Sequence, residues 1–316
     1  MRNRPVVVTL LSSALYLIAC ADADIEEPTS TASTSTAEHV HPSPDSRDQG
    51  QSPDSHDSFS FRTSPARIEP GQERYLCYTQ TLDEDLIVDR YDHEAQPQVH
   101  HIVFVRSLAP EPEGFSECDT LFRTTWDPLF VTGAGRATLA FPENAGHTLT
   151  KGTQLLVQLH LLNSSTSTIE EPVEIKLHRS SVSNPIPVGT YTFGTLRLNV
   201  PANQASQVQA GCEMKEDLQI IAGFPHMHQM GRSLRFESGS GDDSMQTKFL
   251  RDPYTFDDQH VEPLDLALSA GDMTRVTCDY ENATTNDVMF GESTSNEMCF
   301  FIAFALNRNQ ISGCIR

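Results

Sequence analysis

Four of the twelve histidines in this 316-residue chain fall into two short motifs, and a fifth stands between them. Gln98-Val99-His100-His101-Ile102-Val103 sets two histidines side by side at the start of a strand. Side chains alternate faces on a regular strand, so both reach one metal only through a bulge or an irregular strand entry. His160, in Gln154-Leu155-Leu156-Val157-Gln158-Leu159-His160, shares a face with Gln158 and Gln154, opposite Leu155, Val157 and Leu159. Turned away from the apolar face, it is available as a ligand, and His100, His101 and His160 form a candidate three-imidazole site. The second motif, Phe224-Pro225-His226-Met227-His228, spaces its histidines by two, so a strand directs both to one side. Met298, in Glu297-Met298-Cys299-Phe300, offers a thioether beside a half-cystine. Two imidazoles and a thioether suit copper, because soft sulfur favours Cu(I) and imidazole serves both oxidation states. A lone histidine pair or methionine is weak evidence; the order His-His, His, HxH, Met is far more specific.

The elements that must position these donors read as strands. Val173, Ile175 and Leu177 alternate cleanly with polar neighbours, and Leu155, Val157, Leu159 and Leu161 form another apolar face. Further strands are expected over 74–81, 101–106, 191–200, 218–224, 275–280 and 298–306, with no helical period sustained for more than a turn or two. Many short strands between Pro, Gly, Asn and Asp indicate an all-β fold, and the length suggests two antiparallel β-sandwich, jelly-roll-like domains. Asn184-Pro185-Ile186-Pro187 is the best boundary, since paired prolines interrupt strand pairing. The domains expected are therefore 61–184 and 185–316.

Before them lie two segments that are not fold. Arg2 and Arg4 precede fourteen mostly apolar residues, Val6 to Ala19, too few for a membrane span of about 20 but right for an export signal. Leu17-Ile18-Ala19-Cys20 resembles a bacterial lipobox, in which Cys20 carries lipid, so residues 1–19 read as a signal peptide. Residues 20–60 are rich in Ser, Thr, Asp, Glu and Pro, with a net charge near −8 from nine acidic residues and Arg47. Such a stretch cannot bury enough apolar area to fold and reads as a disordered tether, in which His39, His41 and His56 are incidental. The chain should be exported and anchored to a bacterial membrane, periplasmic or at the cell surface, touching the membrane through lipid alone. A net charge of −21 excludes a non-specific nucleic-acid binder, which needs basic patches.

With Cys20 assigned to lipid, Cys77, Cys118, Cys212, Cys278, Cys299 and Cys314 remain, enough for three disulfides. Proximity in sequence favours Cys77–Cys118 and leaves the other four to pair within the second domain, in an order that spacing does not choose.

The stretches YLCYTQTL, QVHHIVFV, QLLVQLHLLN, PVGTY, GFPHMHQMGRSL, TRVTCDYEN and SNEMCFFIAF resemble the copper type II, ascorbate-dependent monooxygenases, the family of the peptidylglycine α-hydroxylating and dopamine β-monooxygenases. They span Cys77 to Cys314. The resemblance implies two β-sandwiches facing across a solvent-filled cleft, each holding one copper, with ascorbate or a similar reductant as co-substrate. By position, His100, His101 and His160 would hold the electron-donating copper. His226, His228 and Met298 would hold the copper at which dioxygen and a small-molecule C–H substrate react, making them the catalytic set. It further implies the pairings Cys212–Cys314 and Cys278–Cys299 beside Cys77–Cys118.

The pattern also departs from the peptide-amidating members, which carry an Arg two residues before the first His of the HxH arm and a Tyr four residues after the Met. Here these are Phe224 and Ile302, so a substrate carboxylate would lack its charge-assisted hydrogen bonds. A pocket of Phe224, Phe300 and Ile302 suits an apolar or aromatic substrate instead. The alternative function is a copper-sequestering surface lipoprotein that hydroxylates nothing. His178 reads as a surface residue, His93, His147 and His260 as loop residues, and Asn163-Ser164-Ser165 and Asn282-Ala283-Thr284 as turns.

Overall fold

The computed structural model describes residues 58–118, 123, 125–309 and 311–316. The expected signal peptide, Cys20 and nearly all of the tether lie outside them. Strand Ser58–Arg62 already claims the last three residues assigned to the tether, because Phe59 and Phe61 pair opposite Leu177 and Ile175.

The described chain is built almost wholly of strands, with a single three-residue 3-10 turn among them. In the N-terminal half a five-stranded sheet carries Glu73–Thr81, Gln154–Leu162, Val99–Ser107 and Trp126–Thr132 in adjacent positions, with Gly114–Glu117 at its edge. It packs on the antiparallel strands Ser58–Arg62, Glu174–Arg179 and Leu86–His93. Phe61, Tyr91, Phe104 and Phe130 fill the space between, each with no exposed surface, and their rings meet at 4.9 to 6.2 Å. In the C-terminal half, Gln204–Glu213, Met273–Asn282, Gly231–Gly239 and Gln246–Arg251 form one sheet. It faces Ile186–Thr195, Cys299–Leu306, Leu218–His226 and Glu262–Leu268 across a core centred on Phe193, Phe236 and Phe301. The expected antiparallel sandwiches are thus present, but the proline boundary behaves differently. Pro185 lies outside any strand, whereas Ile186 and Pro187 pair in parallel with Ala145 and Gly146. That pairing joins strands of both halves into one ten-stranded sheet. Proline is tolerated there because it is near the start of the strand.

The two stacks lie within one compact unit, and the unbroken apolar runs show how they meet. Val99–Val105, Trp126–Thr132 and Cys299–Ala305 are buried at every position, the pattern of strands covered on both faces. In Cys299–Leu306, Phe301, Ala303 and Ala305 face their own sandwich while Phe300, Ile302 and Phe304 join the core of the other. Burying each of the Phe and Ile side chains among them is worth about 1.5–3 kcal/mol. The open cleft implied by the family resemblance is therefore closed here by sheet-on-sheet packing.

All three disulfides form as the resemblance implied: Cys77–Cys118, Cys212–Cys314 and Cys278–Cys299. Asn163 and Asn282 are both turn residues. Each is buried, its amide donates to two carbonyls, and its Oδ1 accepts from the residue two further on. Those amides are fully used, which leaves them unavailable to a sugar. His93 and His147 are not loop residues: they sit in strands Leu86–His93 and Ala145–Leu149 and are buried. His178 is not simply surface either, since it is part-buried between Arg90 and Asp92.

Candidate copper centre

The first donor set is assembled by a bulge. Antiparallel pairing places His160 opposite His101, and the register then jumps so that Leu161 faces Val99. His100 is the extra residue, and the kink turns it toward the side of its neighbour, as a strand entry with two adjacent ligands requires. One nitrogen from each of His100, His101 and His160 then lies within 4.8 Å of the others.

The outer contacts decide which nitrogen each ring offers. The Glu73 carboxylate lies 2.7 Å from His160 Nε2, so that nitrogen carries the proton and Nδ1 faces inward. Asp257 does the same for His100 Nε2 at 3.3 Å, and His100 Nδ1 has no partner. His160 Nδ1 meets His101 Nδ1 at 3.3 Å. Two ring nitrogens converging with a third unpartnered one fit a cation, and carboxylates backing ligand imidazoles are the usual way to orient them. Tyr75 stacks on His160 at 4.4 Å and fixes its plane.

The second set forms at the end of a strand rather than along one. Leu218–His226 stops at His226, so His228 is placed by hydrogen bonds instead of by strand alternation. Its main-chain N–H donates to Glu297 Oε2 and its Nδ1–H to the Asn296 carbonyl, leaving Nε2 as the donor. His226 pairs with Phe300, two residues beyond Met298, and Met298 itself is buried just before the strand Cys299–Leu306 begins. Glu297 locks this arrangement, accepting N–H groups from His228, Met230 and Met298. Tyr280 donates to the Met298 carbonyl at 2.6 Å. The rings of His226 and His228 lie 5.2 Å apart, and His226 Nε2 is buried without a partner.

All six side chains are only 1 to 7% exposed. Burial first, with neighbouring imidazoles adding to it, lowers His226 to about 3, and burial likewise takes His160 and His228 to about 4. His101 is lowered well below its ordinary value by the same causes. His101, His160, His226 and His228 are therefore neutral at pH 7, the form that binds metal. Burial raises Glu297 to about 7 against the three N–H groups that oppose the shift.

The two sets are neighbours: the His101 and His226 rings are 6.4 Å apart. Between them lies a small apolar pocket with room for about one water, bordered by His101, His226, Phe224, Ile302, Val131 and Thr132. Of the three residues expected to form an apolar pocket, Phe224 and Ile302 border this one. Phe300 does not; it shares their side of the sheet, with its ring 6.1 Å from that of Phe290. Residue types and spacing did not disclose Glu73, Tyr75, Phe256, Gln259 or the role of Glu297. The one available signal was a carboxylate, Glu297, beside the apolar run that begins at Met298.

The chain is all-β and disulfide-bonded, and its buried cluster of His100, His101 and His160 could hold a metal ion. Residues 187–316 match the family described as copper type II ascorbate-dependent monooxygenase, C-terminal domain. That match covers the C-terminal part of the chain and supports a place for it among the copper type II ascorbate-dependent monooxygenases, a family that uses copper and ascorbate. Among solved structures it is similar to an N-glycanase F (PNGase F), at 9% identity over 81% of this chain and 97% of the other, TM-score 0.33. An allantoicase (10%, 66% and 78%, TM-score 0.21) and a fucolectin from striped bass serum (8%, 78% and 85%, TM-score 0.21) are also similar. Likenesses this distant carry no functional argument.

Proposed function

We propose that this protein is a copper-dependent monooxygenase that hydroxylates a C–H bond of an apolar or aromatic small molecule, using dioxygen and an ascorbate-type reductant. The observation that carries this reading is the cluster of His100, His101 and His160, with one ring nitrogen of each within 4.8 Å of the others, beside the neighbouring pair His226 and His228. His100, His101 and His160 would hold one copper through Nδ1, and His226, His228 and Met298 a second through Nε2 and sulfur. Bound there, copper supplies one-electron redox chemistry and a position for dioxygen.

The chain's own residues do the rest. Glu73 and Asp257 keep the protons of His160 and His100 on Nε2, and the Asn296 carbonyl keeps that of His228 on Nδ1. Glu297 holds the HxH arm and Met298 at fixed separation. Phe224, stacked beside His226 at 5.8 Å, gives the reacting region an apolar wall and offers no charge to a carboxylate. Peptides ending in glycine are therefore poor substrates. Room for about one water means that a substrate enters only when the two sheet faces separate.

The test is oxygen uptake by the copper-loaded protein with ascorbate, coupled to incorporation of one labelled oxygen atom into product across a panel of apolar and aromatic compounds. Copper retention with no hydroxylated product would favour sequestration, a reading to which the closed, buried site lends support. Anchoring through Cys20 is part of the same proposal. Palmitate labelling in a bacterial host should be abolished by Cys20→Ser; labelling that persists sinks it.

A further inference from the structure

Ten residues, Asp252 to Val261, connect strand Gln246–Arg251 to strand Glu262–Leu268 and touch both donor sets. Tyr254 accepts from the Met227 N–H and donates to the Met227 carbonyl, clamping the residue between His226 and His228. Phe256 lies with its ring 4.3 Å from that of His100 and 6.0 Å from that of His228. Asp257 reaches His100 Nε2. Gln259, 1% exposed, is the most constrained of the group. Its Nε2 donates to the Phe256 carbonyl at 2.9 Å, which fixes the amide so that Oε1 faces His226 Nδ1 at 2.7 Å. An amide oxygen only accepts, so His226 carries its proton on Nδ1 and turns a bare Nε2 toward the pocket it shares with His101. The Gln259 main-chain carbonyl accepts the N–H of Gly133, in the N-terminal half, at 2.9 Å. No side chain fits at that crossing: a Cβ on Gly133 would lie 2.4 Å from the Gln259 oxygen.

We propose that Gln259 is a positioning residue that makes the donor form of His226 depend on contact between the two sandwiches, holding Nδ1–H only while Gly133 holds the strap. The role matters to copper only if His226 is a ligand, as proposed above, but the effect on the ring exists without metal. When the sheets separate to admit substrate, the Gly133 contact breaks and His226 is released. When they close, it is reset.

The test uses the full, metal-free chain with nitrogen-15 in histidine, reading the His226 tautomer at neutral pH from two-bond proton–nitrogen spectra. Wild type should show Nδ1–H alone. Gln259→Leu should populate both tautomers, and Gln259→Glu, which keeps an acceptor, should restore Nδ1–H. Gly133→Ala leaves the amide intact yet should also mix the tautomers. An unchanged tautomer in folded Gln259→Leu overturns the positioning role, and an unchanged one in Gly133→Ala overturns the dependence on contact. If Gln259→Leu does not fold, Gln259→Glu and Gly133→Ala decide. Cu(I) affinity at the second set should fall roughly 10- to 100-fold in Gln259→Leu. A wild-type chain that shows the tautomer pattern but binds no copper at His226 would sink the copper reading and leave this one standing.

Discussion

At the scale of single residues, burial keeps several histidines neutral, and this sets how the metal-free protein responds to acid. His147, buried and bonded to Tyr91 Oη, is lowered from 6.5 to about 3, mainly by desolvation with Arg106 adding to it. Between those values the unfolded chain binds a proton that the folded chain refuses, so stability falls as pH drops below about 6.5. Glu297, raised from 4.5 to about 7, acts in the opposite sense: its contribution is full below 4.5 and is lost as pH rises through 7. His147→Gln should flatten the acid limb by about 1.4 kcal/mol per pH unit. Denaturant melts of metal-free protein at pH 6 and pH 5 would check this; an unchanged slope would mean that His147 is protonated in the fold. Met298→Ala should lower the copper bound per chain from two to one, or weaken the second ion. Equal, tight retention by mutant and wild type would remove Met298 from the site.

At the scale of elements, the second set depends on a braced strand end. Cys299 opens the strand that follows Met298, and its bond to Cys278 ties that end to Met273–Asn282 of the facing sheet. Losing a disulfide of this kind costs about 2–5 kcal/mol. The double substitution Cys278→Ala, Cys299→Ala should therefore lower denaturant stability by that amount. It should also weaken copper at the second set while sparing the first, which rests on the bulged strand Val99–Ser107. Equal loss at both sets, seen by metal analysis after dialysis, would contradict this division. Strand identities near the site were legible because an apolar face recurring at every second residue marks them, as Leu155, Val157, Leu159 and Leu161 do over Gln154–Leu162. His147 was not, because its strand is five residues long and flanked by Asn and Thr.

At the scale of the molecule, the closed packing of two sandwiches couples the donor sets. Contacts cross between the halves at Gly133–Gln259, at His100–Asp257, and where Thr294 donates to Glu73, the carboxylate behind His160. Copper bound across such a frame should stabilise the whole unit rather than one half, by about 2.7 kcal/mol at a free concentration 100 times the dissociation constant for each independent site. A single, copper-shifted thermal transition would agree. Two transitions, only one of which moves with metal, would show that the halves melt independently.

The sequence alone determined the donor types, the β architecture and the six cysteines available to pair, because these are written in residue identity and short-range periodicity. Only the tertiary structure decided which ring nitrogen each histidine presents, since that proton is placed by distant partners such as Glu73 and Gln259. It likewise decided that the sheets meet without an open cleft. Apolar residues on the second face of Cys299–Leu306 look the same in sequence whether they meet a partner sheet or a substrate, and only packing in three dimensions distinguishes the two.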